Sequence, residues 1–164
     1  MKKRGFTLIE TMVTIALIAL ILVGISPAIF NTQETRKLEN EAMNILTTLE
    51  WAKLQAAKTR LNHKVEFVND TNGWFFFIAK EGSPNEWSDV PGQLKKRISS
   101  RFNVNVDLTD QAVVFSPLGM VSNFGTNQNN ITIQSLKLKE LNQDDQRTIS
   151  VFAGGSIEYS KSRS

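Results

Sequence analysis

A long apolar run near the start of the chain, interrupted early by one carboxylate, limits what this sequence can become. From Met12 to Phe30 every residue is apolar except Thr14, Gly24, Ser26 and Pro27. Counted from Phe6, the run is about 25 residues, or about 37 Å as a helix, enough to cross a hydrocarbon core of about 30 Å. Lys2, Lys3 and Arg4 precede it. Positive charge before a span holds that end in the cytoplasm and sends the remainder across the membrane.

Three kinds of segment begin this way. A signal peptide would be cut after the run, and Ser26-Pro27-Ala28 offers small residues at the ends of such a site. A plain single-pass anchor would stay uncut. A leader could also be cut before the run. Glu10 separates them, because a carboxylate at the edge of a membrane segment is costly unless it is paired or has a task. Cutting after Gly5 would leave a free amino group on Phe6, four residues and one helical turn from Glu10. The carboxylate could neutralise that amine or a neighbouring subunit's, and the pairing gains strength in an apolar filament core.

Gly5-Phe6-Thr7-Leu8-Ile9-Glu10 behind a short basic leader resembles the prepilin signal of type IV pilins and type II secretion pseudopilins. The resemblance implies cleavage between Gly5 and Phe6 by a prepilin peptidase, N-methylation of Phe6, and an assembly role for Glu10. It also matches Pro27 to a helix-kinking proline. Physically, Pro27 removes one backbone hydrogen bond and should bend the helix.

Beyond Pro27 the helix should continue. Leu38, Ala42, Ile45, Leu49, Ala52 and Ala56 are spaced by fours and threes and form one apolar stripe, with charged residues largely off it. The helix should end near Arg60 to Asn62. After His63 the period changes to short β runs. Strands are expected at Lys64 to Val68, Trp74 to Ala79, Asn103 to Leu108, Ala112 to Ser116, Ile131 to Leu138, Thr148 to Phe152 and Ser156 to Ser160. A loop is expected from Gly82 to Gly92. The fold class is α+β, a long helix followed by a mostly antiparallel sheet. The expected divisions are a leader at 1–5, a membrane or filament-core helix at 6–30, an amphipathic extension at 31–62 and a β-rich periplasmic domain at 63–164.

Glu50-Trp51-Ala52-Lys53, Gly73-Trp74, and Val114-Phe115-Ser116-Pro117-Leu118-Gly119, in that order, resemble the GspH/FimT class of minor pilins, which includes FimU. That resemblance implies a pilin fold and a structural subunit that initiates or caps a type II secretion pseudopilus or a type IV pilus. The implied partners are the prepilin peptidase and methyltransferase, other pilins or pseudopilins, an inner-membrane assembly platform and lipid. The implied location is the inner membrane, single-pass, and then the filament.

Composition narrows the chemistry. The chain has 164 residues, no cysteine and one histidine. Thiolate sites, disulfides and multi-histidine metal centres are excluded within one chain. No catalytic constellation is present, and no cofactor is expected. Asp144-Asp145 beside Glu140 lacks the spacing of an EF-hand calcium loop and reads as a solvated loop. The net charge of +3 comes from the basic start, because without Lys2, Lys3 and Arg4 the basic and acidic counts are equal at sixteen. Lys95, Lys96, Arg97 and Arg101, with Lys161 and Arg163 in the tail, are candidate DNA or partner contacts. DNA-binding members of the resembled class carry a Gly-Arg-x-Arg/Lys pattern, where this chain has Gly155-Ser156-Ile157-Glu158. DNA uptake is therefore the alternative reading and nucleic acid an unlikely partner.

Overall fold

The computed structural model describes residues 7–84, 86–126 and 129–164, with the side chains of 22–30 outside the description. The chain divides into two compact units, Met1–Glu34 and Thr35–Ser164.

Helix α1, Leu8–Thr59, contributes to both units. In the first unit the large apolar side chains from Leu8 to Ile21 are all more than half exposed. Among the described residues no helix is long and apolar enough to cross a membrane. The expected span at 6–30 includes 22–30, whose side chains are outside the description.

In the second unit the expected stripe forms. Leu38, Ala42, Ile45, Leu49, Ala52 and Ala56 are fully buried. No Gly or Pro occurs between Pro27 and Gly73, so nothing local breaks the helix until Arg60 turns the backbone left-handed at φ 58°. His63 follows, buried, with Nδ1 3.1 Å from the Leu61 carbonyl oxygen, as the first residue of a strand.

The strands form two antiparallel sheets where a single sheet was expected. β1 (His63–Asp70), β2 (Gly73–Ser83), β3 (Glu86–Asp89), β4 (Lys96–Arg97) and β6 (Ala112–Phe115) make the first, in the order β3-β2-β1-β6, with β4 also on β2. β5 (Asn103–Asp107), β7 (Asn130–Gln134), β8 (Gln146–Val151) and β9 (Ile157–Ser162) make the second, in the order β5-β7-β8-β9. Residues from both sheets and from α1 share one apolar core, including Phe67, Phe76 and Phe115 from the first and Ile131, Ile133 and Ile149 from the second.

Two expectations need correction. Glu86–Asp89 is a short edge strand within the expected loop, and its neighbours Pro84 and Pro91 lie outside the paired residues. The expected strand from Ile131 to Leu138 stops at Gln134. Ser135 caps a short helix α2, Leu136–Glu140, by accepting a hydrogen bond from the Leu138 amide, and the helix turns Leu138 into the core.

On the second sheet, strand alternation sends isoleucines and valines inward and polar residues outward. The outward residues form three rows across the strands. They read Asn103-Gln134-Gln146-Ser162, Asn105-Thr132-Thr148-Ser160 and Asp107-Asn130-Ser150-Glu158.

Candidate processing and assembly site

The expected cleavage site, Gly5 and Phe6, lies outside the described residues. The description opens at Thr7, which caps α1. The Glu10 amide donates to the Thr7 carbonyl at 3.1 Å and lies 3.4 Å from Thr7 Oγ1, and the Thr11 amide also donates to that carbonyl. Thr7-Leu8-Ile9-Glu10 is the spacing of a capping box, a signal in the sequence that the membrane argument passed over. Glu10 thus has a local use, since a negative charge in the first turn complements the helix dipole. Its carboxylate is exposed and makes no hydrogen bond or ion pair among the described residues. Around it, Leu8, Ile9, Met12 and Val13 are exposed, with nothing covering them among the described residues. α1 runs through Pro27, whose side chain is outside the description, and the expected kink lies there.

The candidate cations do not form one patch. Alternation on β4 places Lys96 and Arg97 on opposite faces of the first sheet. Lys96 Nζ reaches Thr48 Oγ1 of α1 at 3.1 Å. Arg97 points outward and holds Asp70 with two bonds of 2.8 and 3.0 Å. That guanidinium keeps the Asp70 carboxyl below the usual range. Lys95 lies over the Phe77 and Phe75 rings, 5.0 and 5.7 Å from their centroids. Arg101 is exposed and has an interaction of its own. Lys161 pairs with Glu39 at 3.1 Å, and Arg163 donates to the Asn142 carbonyl at 3.2 Å.

A buried polar cluster went unforeseen. Arg147 on β8 is only 2% exposed, and its Nε donates to Glu39 of α1 at 3.0 Å. Its Nη1 donates to the carbonyls of Asp144 and Gln146. Burial raises the Glu39 pKa, but interactions with Tyr159, Lys161 and Arg147 outweigh it and hold the carboxyl below its ordinary value. Asp145, expected in a solvated loop, is fully buried. Gln134 and both the amide and hydroxyl of Ser164 donate to it. Burial raises its pKa too, and those donors bring it net down. The only signal was Arg147 at an inward position of an alternating strand. Among the described residues no group of acidic or histidine side chains could hold a metal ion.

Two family models match the chain. The prokaryotic N-terminal methylation motif covers residues 1–26, and the type II transport protein GspH covers residues 41–155. No curated protein matches it in sequence. Among solved structures it is similar to the minor pseudopilin EpsH of the Vibrio cholerae type 2 secretion system. That match has a TM-score of 0.59 and 12% identity, covering 76% of this chain and 97% of that one. It is also similar to the type IV minor pilin FimU of Pseudomonas aeruginosa, with a TM-score of 0.55 and 12% identity, covering 79% of this chain and 92% of that one. At such identities the structural likeness speaks for the fold, and it agrees with the helix-plus-antiparallel-sheet architecture.

Proposed function

This chain belongs to the type II transport protein GspH family, and from that premise we propose that it initiates or caps a filament after prepilin cleavage. It is a minor pseudopilin or pilin of the type II secretion or type IV pilus class. The observation that carries the reading is the methylation motif at 1–26 and the GspH domain at 41–155 in one chain.

In this reading the peptidase cuts between Gly5 and Phe6 and the new Phe6 amine is methylated. The segment 6–30 then anchors the subunit in the inner membrane with the β domain in the periplasm. The same apolar surface later leaves lipid for the filament core, and burial of similar apolar area in both places makes that transfer feasible. Glu10 meets the terminal amine there. The partners are a prepilin peptidase, other pilins or pseudopilins and an inner-membrane platform. DNA capture is the weaker alternative, since Arg97 and Lys161 are held by carboxylates and Lys96 by a hydroxyl within the chain.

Mass spectrometry of the protein purified from its own cells tests the first step. The expected N-terminal peptide begins with N-methylated Phe6, and Gly5→Val should leave the leader in place. A Gly5→Val protein that still begins at Phe6 overturns the cleavage assignment.

A further inference from the structure

The apolar start of α1 is not apolar all round. From Thr7 to Ile21 only four residues are polar, Thr7, Glu10, Thr11 and Thr14. They stand at i, i+3, i+4 and i+7. At about 100° per residue they share one face about 100° wide, while Ile9, Met12 and Ala16 lie on the other side. Lipid gives a helix no reason to gather its polar groups on one side. A second helix does, because polar side chains in membranes collect where helices meet.

The hydrogen bonds give that face a chemical sense. Thr11 Oγ1 donates to the Leu8 carbonyl at 2.8 Å, and Thr14 Oγ1 donates to the Glu10 carbonyl at 2.6 Å. Each hydroxyl spends its one proton on its own helix and keeps only lone pairs to offer a neighbour. The Glu10 carboxylate stands beside them, exposed and without an ion pair among the described residues. An ionised carboxylate is likewise an acceptor alone. Three acceptors side by side take a donor, and the carboxylate favours one that carries positive charge.

We propose that this face seats the protonated amino terminus of a neighbouring filament subunit, with Thr11 and Thr14 as positioning residues beside Glu10. The inference rests on the cleavage and docking reading above. It adds the two threonines and the origin of the amine. An N-methylated ammonium retains two N–H donors, one for the carboxylate and one for a threonine oxygen. Thr14 stands eight residues beyond Phe6, about 12 Å of helix, so the chain's own terminus does not reach it. A second chain's terminus can. Ile18 and Ile21 continue the same face and give the neighbour's apolar helix an apolar path.

Incorporation into sheared filaments tests it, scored by immunoblot against the membrane pool with the full chain in its own cells. Valine has nearly the shape of threonine without the hydroxyl. Thr11→Val/Thr14→Val should be cleaved and membrane-associated like the parent. Its incorporation should fall about five-fold or more, at about three-fold for each interhelical hydrogen bond. Thr11→Ser/Thr14→Ser, which keeps both hydroxyls, should incorporate like the parent. So should Ala16→Val, which adds apolar bulk on the opposite side. Full incorporation of the valine pair where Glu10→Ala is lost overturns the threonine seat and leaves the Glu10 docking reading standing. Full incorporation of Glu10→Ala overturns both. Equal loss in the serine and valine pairs also overturns the seat, because the hydroxyls would then not be the operative groups. A photo-crosslinker at Ile18 should capture the N-terminal peptide of another subunit, and capture of lipid alone overturns that occupant.

Discussion

Arg147 is the residue around which the polar interior is arranged; without Glu39 its guanidinium would keep its bonds to the Asp144 and Gln146 carbonyls but lose the carboxylate its Nε donates to. Removing one partner of a buried pair costs about 3–5 kcal/mol, and the partial exposure of Glu39 puts this pair at the low end. Glu39→Gln should therefore lower stability at neutral pH by about 3 kcal/mol, read by urea unfolding. The sign of the pH effect follows from its lowered pKa. A carboxylate with a lower folded than unfolded pKa stabilises above the unfolded value. It loses that contribution as pH falls through the folded one. The acid limb of the parent's stability curve should be steeper than the variant's. An acid limb of equal slope in both proteins would count against the pair. Glu41 works in the opposite sense: burial raises its pKa despite a hydrogen bond from the Ser99 amide, so it favours folding as it protonates. None of this was legible in the sequence, because charge pairing across more than a hundred positions leaves no local pattern. The burial of Asp145 was hidden because its donors, Gln134 and Ser164, are neutral residues that reach it only once the strands pair.

At the scale of elements, periodicity told most of the story. The stripe from Leu38 to Ala56 was readable because fours and threes on a helix put side chains on one face, and each of those residues is buried. Leu49→Ala should cost about 2–5 kcal/mol, measured as a lower urea midpoint with an unchanged slope. A loss below about 1 kcal/mol would mean that the face is not packed as described. The strand pattern also held for the hairpin of β1 and β2. It failed where polar punctuation concealed structure, as with Glu86–Asp89 between prolines and the one-turn helix opened by Ser135. The division into two sheets was not readable, because alternation gives a strand's face and not its neighbour.

For the whole molecule, the described part of the N-terminal unit presents exposed apolar side chains from Leu8 to Ile21. Burial of such a surface needs lipid or other subunits. Glu10, uncompensated among the described residues, is proposed to find its counter-charge only after assembly. Glu10→Ala should be cleaved and membrane-associated like the parent yet be recovered in sheared filaments at a small fraction of the parent's level. Equal recovery by immunoblot would remove the docking role. The N-terminal methylation motif was legible because it is contiguous, whereas the outward rows of the second sheet require three-dimensional register to assemble from four separated segments.

The two sheets meet at a seam of turns. The Val121 amide donates to the Ala153 carbonyl at 3.0 Å, and Lys53 Nζ of α1 reaches the Gly155 carbonyl at 2.7 Å. Gly155 sits so close to Gly119 that any Cβ there would overlap the Gly119 carbonyl, and its φ of 77° independently favours glycine. Together with the shared core, this seam makes the β region indivisible. Amides on either side should exchange with solvent through the same global opening. A proteolytic nick between the sheets would leave two fragments that hold together until both come apart.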